Sequence, residues 1–161
     1  MNIRTGYGYD SHRLVEGRPF LLGGVLIPFQ KGGMGHSDAD VLLHAIADAL
    51  LGAVALGDIG LHFPDTDPAW KDADSRMLLA HVVKLLREKG WTVGNMDCTV
   101  VLEQPKLRPH VEAMRQAIAG ILGTPVDAVS VKASTNERMG FTGRGEGVAA
   151  HAVVLVHRTG A

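Results

Sequence analysis

A single cysteine, Cys98, in a chain of 161 residues leaves no partner for an intramolecular disulfide. That excludes the cystine-stapled build of small secreted domains, and a reducing compartment, the cytoplasm, is the expected location. A formal net charge of −1 supplies no general cationic field. Sequence-independent binding to nucleic acid or to acidic membranes is therefore excluded as the main activity, and an anionic ligand must be held by local devices. No apolar run is long enough to span a bilayer: the most apolar stretch, residues 45–56, is interrupted by Asp48 and Gly52. The stretch from Met1 to Gly8 has no apolar segment of signal-peptide type, so the chain is expected to be neither secreted nor membrane-spanning. Internal repeats, linkers and low-complexity tracts are also missing.

What the chain has is an apolar fraction of 46%, enough for one core at this length but not for two ordinary domains, so residues 1–161 are expected to form one domain. It also has 8 histidines, which justify a search for metal ligands by spacing.

Residues 4–9 read as a glycine-containing strand ending in Asp10-Ser11-His12, and residues 21–29 as a second short strand. Ser37 is a candidate N-cap for a helix over about residues 38–54, with Val41, Leu42, Ala45, Ile46, Ala49 and Leu50 at helical spacing. Gly57 to Pro68 holds too many glycines, prolines and aspartates for a helix or a central strand, and reads as a long ordered loop or a lid. A second helix is predicted over residues 75–89, with Leu78, Val82 and Leu85 inward and Gly90 as its stop. Residues 91–102 alternate as a strand that turns Cys98 into packing. Pro109 opens a third helix ending near Gly123, and two strands, 129–134 and 148–157, close the chain. The glycine-rich segment between them, residues 140–147, reads as a hairpin turn, because it opens no helix of phosphate-binding type. The order of elements predicts an α+β fold, a mixed sheet with helices on one face. No helices remain for the other face, so packing of that face around a three-fold axis in a homotrimer is expected.

Asp10 and His12 stand two apart on a strand and so leave on one face. His44 lies one helical turn from both Asp40 and Asp48, a polar stripe that a functional site or a solvent face explains equally, and either carboxylate could orient its imidazole. Two imidazoles and a carboxylate suit zinc and leave its fourth position open, as in a catalytic site. Cys98 could close that position, but its inward direction argues against it, and a polar strand end meeting solvent is the bland alternative for Asp10 and His12.

The motifs Asp10-x-His12, His36-Ser37-Asp38-x-Asp40 with His44, Gly57-Asp58-Ile59-Gly60, Phe63-Pro64-Asp65-Thr66-Asp67, Gln104-Pro105-Lys106, Lys132-Ala133-Ser134-Thr135-x-Glu137 and the 140–147 segment together resemble the 2-C-methyl-D-erythritol 2,4-cyclodiphosphate synthase family, over nearly the whole chain. The resemblance implies a metal-dependent phosphorus-oxygen lyase of the non-mevalonate isoprenoid pathway. Its reaction cyclises 4-diphosphocytidyl-2-C-methyl-D-erythritol 2-phosphate and releases CMP, at sites between the subunits of a homotrimer. By resemblance Asp10, His12 and His44 match the zinc ligands, Glu137 the ligand of magnesium or manganese, and Thr135 a further catalytic position. His36, Ser37, Asp58 and Gly60 match the positions around the methylerythritol, and Ile59, Phe63, Asp65 and Asp67 match further substrate-binding positions. Leu102, Pro105, Lys106, Leu107, Arg108, Ala133, Ser134 and Thr135 match those around the cytidine diphosphate, with Ser134 where threonine is common and with Leu102 and Arg108 replacing smaller or apolar residues. Phe141 and Arg144 complete the substrate set, and the resemblance also places Arg144 and Glu146 near the trimer axis, where a channel binds isoprenoid diphosphates.

A physical need for two cations stands beside the resemblance, since a phosphate nucleophile must approach a diphosphate that is already negative. Because both phosphates belong to one molecule, holding it folded supplies effective molarity, with no general base required. Two rival readings use the same residues: a zinc phosphohydrolase, and a non-catalytic trimeric zinc protein that binds isoprenoid diphosphates. His62, His81, His110, His151 and His157 have no partner at metal spacing and are read as structural or surface residues.

Overall fold

A computed structural model describes residues 2–158. In chain order the elements are β1 (Ile3–Glu16), β2 (Phe20–Leu22), β3 (Val25–Ile27), β4 (Lys31–Met34), α1 (Val41–Ala53), α2 (Ile59–His62), α3 (Ser75–Glu88), β5 (Trp91–Val101), α4 (Val111–Leu122), β6 (Val129–Ser134), α5 (Gly140–Gly143) and β7 (Gly147–Arg158). Five strands form one mixed sheet in the order β4-β1-β7-β5-β6, with β5 and β6 parallel and the other pairs antiparallel, and β2 and β3 form a separate hairpin. This is the α+β architecture with a mixed sheet that the element order predicted. No helix among the described residues is long and apolar enough to cross a membrane.

α1 is almost wholly buried and supplies Leu42, Leu43, Ile46, Leu50 and Leu51 to the core. It lies against β1 and β7, while α3 packs on α1 and α4 on β6. Along β7, Val148, Ala150, Ala152, Val154 and Val156 are fully buried beneath the helices. Period-two alternation then puts Tyr7, Tyr9 and Val153 on the opposite face, where they are 61%, 44% and 49% exposed. Cys98 points into packing as predicted, burial pushes its thiol up to about 12, and among the described residues it is not part of a metal-capable group.

Several boundaries differ from the sequence reading. Asp40, not Ser37, caps α1: its carboxylate accepts from Leu43 N at 3.1 Å, and the helix starts at Val41. The 21–29 strand splits at Gly23 and Gly24, whose φ values of 59° and 77° turn the chain back as the β2–β3 hairpin. The 57–68 loop holds α2, capped by Asp58, and ends in a short 3-10 turn capped by Asp67. The 140–147 segment is not a hairpin turn, because β5 lies between β6 and β7 in the sheet and the connection must cross it, carrying α5 on the way.

Candidate metal-binding site and a second cleft

The site begins with two glycines. Gly6 and Gly8 lie on the face of β1 that meets α1, and a methyl carbon built on Gly8 would fall 1.9 Å from the Ala45 carbonyl oxygen, one on Gly6 at the same distance from that of Ala49. Only hydrogen side chains allow this approach of strand to helix. Alternation along β1 sends Asp10 and His12 to the same face, and the close approach brings His44, beside Ala45, onto them. The three ligand atoms converge. Asp10 Oδ2 is 3.1 Å from His12 Nε2 and 3.0 Å from His44 Nδ1, and the two ring nitrogens are 3.1 Å apart.

Gly8→Ala should therefore damage stability and site together. We expect a loss of about 2 kcal/mol or more from overpacking, read as a lower denaturant midpoint, and weaker binding of a divalent cation at the cluster, probed with zinc against a chelator. Unchanged zinc affinity in the folded variant would show that the strand–helix spacing does not set the site.

Burial alone would push the Asp10 carboxyl up, but hydrogen bonds from His12 and His44 outweigh it and hold it well below the usual carboxylate range. Burial would push the His44 imidazole down; the hydrogen bond to Asp10 and the charges of Asp10, Asp40 and Asp38 win and raise it. Two imidazole nitrogens and a carboxylate oxygen turned toward one point form a donor set that fits a divalent cation such as zinc. Their spacing lies close to the edges, roughly 3.3 Å, of a tetrahedron with metal–ligand bonds of about 2.0–2.1 Å. The cluster, two of whose members are half-buried and one buried, is the metal-capable group found among the described residues.

Neither Asp40 nor Asp48 orients His44. Asp40 is fully buried and accepts Gly23 N at 2.9 Å and Gly24 N at 2.7 Å besides Leu43 N, so it ties the β2–β3 hairpin to the start of α1; burial raises its pKa in spite of those bonds. Asp48 accepts Ile59 N at 2.8 Å and anchors α2. The groups that hold the far nitrogen of His44 are the hydroxyls of Ser75, at 2.9 Å, and Ser37, at 3.1 Å.

The cluster opens into a cavity of about 400 Å³ that His36, Ser37, Ile59, Gly60, Phe63 and Asp65 also line. Three further liners, Pro64, Trp70 and Leu78, were not among the predicted site residues: Pro64 stood only within a motif, Leu78 only as an inward helix residue, and Trp70 not at all. The ring of Trp70 stands edge-on to Phe63 at 5.0 Å, a pairing across the loop that no local pattern announces, and His81 packs on the same Phe63 at 5.6 Å. Asp58 and Asp67 are not among the lining residues, and their carboxylates cap α2 and the following turn through Leu61 N and Ala69 N.

The second group of sequence candidates gathers at the C-terminal ends of the parallel strands β5 and β6. Leu102, Pro105, Lys106, Leu107, Arg108, Ala133, Ser134 and Thr135 line one cleft of about 170 Å³. Glu103, missed by the sequence reading, lines it too, and its Oε1 accepts Asn136 N at 3.0 Å and Arg138 N at 3.2 Å. It thereby holds a turn in which Glu137 and Arg138 both take left-handed φ values, 50° and 62°, and Thr135 Oγ donates to Glu137 Oε1 at 3.2 Å. A carboxylate next to two backbone N–H groups of a glycine-poor turn was the available signal, but it needs the turn's geometry to be read.

The structure does not bring all candidates together. The cation cavity and the cleft share no lining residue, and Phe141 and Arg144 belong to neither: Phe141 lines a third hollow with Ser11, Arg13 and Glu146, and Arg144 pairs with Glu146 at 2.8 Å on the surface. His62 bonds the Leu56 carbonyl at 2.8 Å and His151 the Tyr7 hydroxyl at 2.9 Å, in keeping with their structural reading.

Comparison with known proteins places these features. Residues 3–157 match the YgbB family. The chain is 62% identical over 154 residues to the 2-C-methyl-D-erythritol 2,4-cyclodiphosphate synthase of Trichlorobacter lovleyi, covering 96% of this chain and 98% of that protein. Among solved structures it is similar to the bifunctional IspDF of Campylobacter jejuni, with a TM-score of 0.94 at 44% identity over 97% of this chain, which spans 42% of that larger protein. It is similar also to a 2C-methyl-D-erythritol-2,4-cyclodiphosphate synthase in its CDP-bound form, with a TM-score of 0.88 at 42% identity, covering 95% of this chain and 99% of the other.

Proposed function

The chain belongs to the YgbB family, that of its 2-C-methyl-D-erythritol 2,4-cyclodiphosphate synthase relatives, and from that premise we propose that it cyclises 4-diphosphocytidyl-2-C-methyl-D-erythritol 2-phosphate and releases CMP. The observation that carries the reading is the convergence of Asp10 Oδ2, His12 Nε2 and His44 Nδ1 within 3.1 Å of one another at the mouth of a cavity sized for a small phosphorylated polyol. In this reading residues 1–161 act as one synthase domain, of which Met1 and residues 159–161 lie outside the described structure.

In the step itself an oxygen of the 2-phosphate attacks the β-phosphorus, one P–O bond forms, the P–O bond to CMP breaks, and no water is consumed. When bound, zinc at Asp10, His12 and His44 and magnesium or manganese at Glu137 supply the positive charge that lets two phosphate groups meet and the leaving group depart. The residues of the chain do the rest. His36, Ser37 and the Ile59–Gly60 backbone border the space for the methylerythritol hydroxyls, and Phe63 and Trp70 close its side against water. Lys106 and the hydroxyls of Ser134 and Thr135 line the cleft suited to the cytidine diphosphate, the ligand class present in the CDP-bound relative. Holding both ends of one molecule in this way converts the attack into a positioned, intramolecular reaction.

The active unit in this proposal is a cytoplasmic homotrimer. Two features support it. The sheet face bearing Tyr7, Tyr9 and Val153 has no helix over it. Within one chain, β1 with the cation cluster is separated from β6 with the cleft by β7 and β5, roughly 14 Å of sheet at ~4.8 Å per strand, so a neighbouring copy is the natural source of the second half-site. The Arg144–Glu146 pair beside Phe141 then belongs near the three-fold axis, where an isoprenoid diphosphate would meet the arginine.

Incubation of the purified protein with the cytidine substrate is expected to give CMP and the cyclic diphosphate in equal amounts, and a chelator should stop both. A linear phosphorylated product would establish the phosphohydrolase reading instead, and binding of isoprenoid diphosphate without CMP release the non-catalytic one.

A further inference from the structure

The neutral imidazole ring carries one proton, and which nitrogen bears it decides whether His44 can be a ligand through Nδ1. The groups behind the ring answer this. Ser75 Oγ donates its hydrogen to Asp38 Oδ1. An oxygen that has given its only hydrogen to a carboxylate can only accept from a third group, and that group is His44 Nε2, 2.9 Å away. Nε2 must therefore carry a proton, whether or not Nδ1, which faces the Asp10 carboxylate and His12, carries one too, and this leaves Nδ1 as the nitrogen free to become a ligand.

Asp38 is itself fixed. Its Oδ2 accepts the Ser75 backbone N–H at 3.0 Å, an otherwise unpaired donor in the first turn of α3, and its Oδ1 also accepts Asp40 N at 3.2 Å. Asp38 N in turn donates to the Ala73 carbonyl at 3.1 Å, and Asp72 N to that of His36 at 2.8 Å, so the 36–38 and 72–75 segments are stitched together behind the ring. Ser75 is 1% exposed, which keeps water from substituting for its hydroxyl. Ser37 Oγ, 3.1 Å from the same Nε2, accepts Ala39 N at 3.2 Å but keeps its own hydrogen free, so it would tolerate either tautomer.

We propose that Asp38 and Ser75 are positioning residues that hold a proton on His44 Nε2 and so make Nδ1 the nitrogen that meets a cation. The proposal rests on reading Asp10, His12 and His44 as a cation site. In the relay, Asp38 polarises the Ser75 hydroxyl and Ser75 takes the ring proton; neither touches the cation or the substrate. Truncation of such an outer partner lowers metal affinity by about 10–100-fold.

Ser75→Ala keeps the backbone N–H on Asp38 Oδ2 and removes only the hydroxyl. It is expected to weaken zinc binding about 10–100-fold in competition with a chromophoric chelator and, because a buried hydroxyl bonded on two sides is lost, to lower the melting temperature of the metal-free protein by only a few degrees. Ser75→Thr, which returns the hydroxyl, should recover most of the affinity. Independently, long-range ¹H–¹⁵N spectra of the metal-free wild type should show a proton on His44 Nε2, whether or not Nδ1 also carries one, and Ser75→Ala should show Nε2 partly without its proton as the ring shifts toward the Nδ1–H form. A wild-type His44 with no proton on Nε2, or a folded Ser75→Ala protein that binds zinc as tightly as the wild type, would overturn the relay. If Ser75→Ala does not fold, the wild-type Nε2 proton decides alone. Failure of the wild type to bind zinc at all would instead sink the cation reading, and the two failures are told apart because the spectra need no metal.

Discussion

Asp10→Asn, His12→Ala and His44→Ala are each expected to reduce CMP release by at least about a thousandfold, the rate equivalent of roughly 4 kcal/mol of lost transition-state stabilisation. Asp10→Asn is the most informative of the three. The amide keeps the size of the carboxylate and its hydrogen bond from Ser11 N, but it removes the negative charge that the two imidazoles hold in place. Because the Asp10 carboxyl is held well below its ordinary range, that charge is present throughout the physiological pH interval in the wild type. A neutral amide at the same place should strip zinc from the protein while the core beneath Gly6, Gly8 and α1 stays folded. Zinc content, melting temperature and CMP release, measured on the same preparation, separate the two effects. An Asp10→Asn protein retaining more than about a tenth of wild-type turnover, where simple loss of a metal ligand predicts near-abolition, would move the reaction elsewhere on the molecule.

Two inactive variants should restore each other. His44→Ala spoils the cation cavity and leaves the cleft intact; Ala133→Arg fills the cleft of about 170 Å³ and leaves the cavity intact. If each working site takes its cavity from one copy and its cleft from the next, random mixing of the two variants in a closed ring leaves about a quarter of the sites with both halves sound. Co-refolding or co-expression at equal amounts is therefore expected to recover about a quarter of wild-type CMP release, from parents that each show almost none. Simple mixing without subunit exchange should recover nothing. No recovery after proven exchange would mean that cavity and cleft serve one another within a single chain, and the separation of β1 from β6 in the sheet would then have to be bridged by the substrate alone.

The cation cluster was half legible. Period-two alternation put Asp10 and His12 on one face of a strand, and the structure keeps them there; the helical run from Val41 located His44 on α1. Their meeting was not legible, because it depends on how closely β1 lies against α1, a distance set by Gly6 and Gly8 against Ala45 and Ala49. The partners of His44 were misjudged for a related reason. Spacing of one turn offers Asp40 and Asp48 as neighbours along the helix, but α1 is buried on nearly every side, so its carboxylates turn outward to satisfy the backbone of the β2–β3 hairpin and of α2. The ring meets Ser75, 31 residues away, whose place is fixed by the packing of α3 on α1.

The cleft at the ends of β5 and β6 shows the same division. The segments around Pro105 and Ala133 were recognisable as motifs, while the role of Glu103 emerged only with the left-handed turn it holds, since a carboxylate in a loop has no local signature of the N–H groups it will accept. The misread hairpin at residues 140–147 has a topological cause: turn chemistry describes a few residues, and the insertion of β5 between β6 and β7 is a property of the whole sheet.

By itself, then, the chain of residues determined the long helices and strands, the family and which side chains carry the donors, because these depend on side-chain chemistry and on periods of two and of about 3.6 that act over a few neighbours. The tertiary structure alone decided that three of those atoms meet within 3.1 Å, which hydroxyls stand behind them, and that cavity and cleft lie apart in one copy. The reason is that such distances arise where separate elements are packed to contact, and a missing methyl group on a strand decides them without leaving any periodic trace.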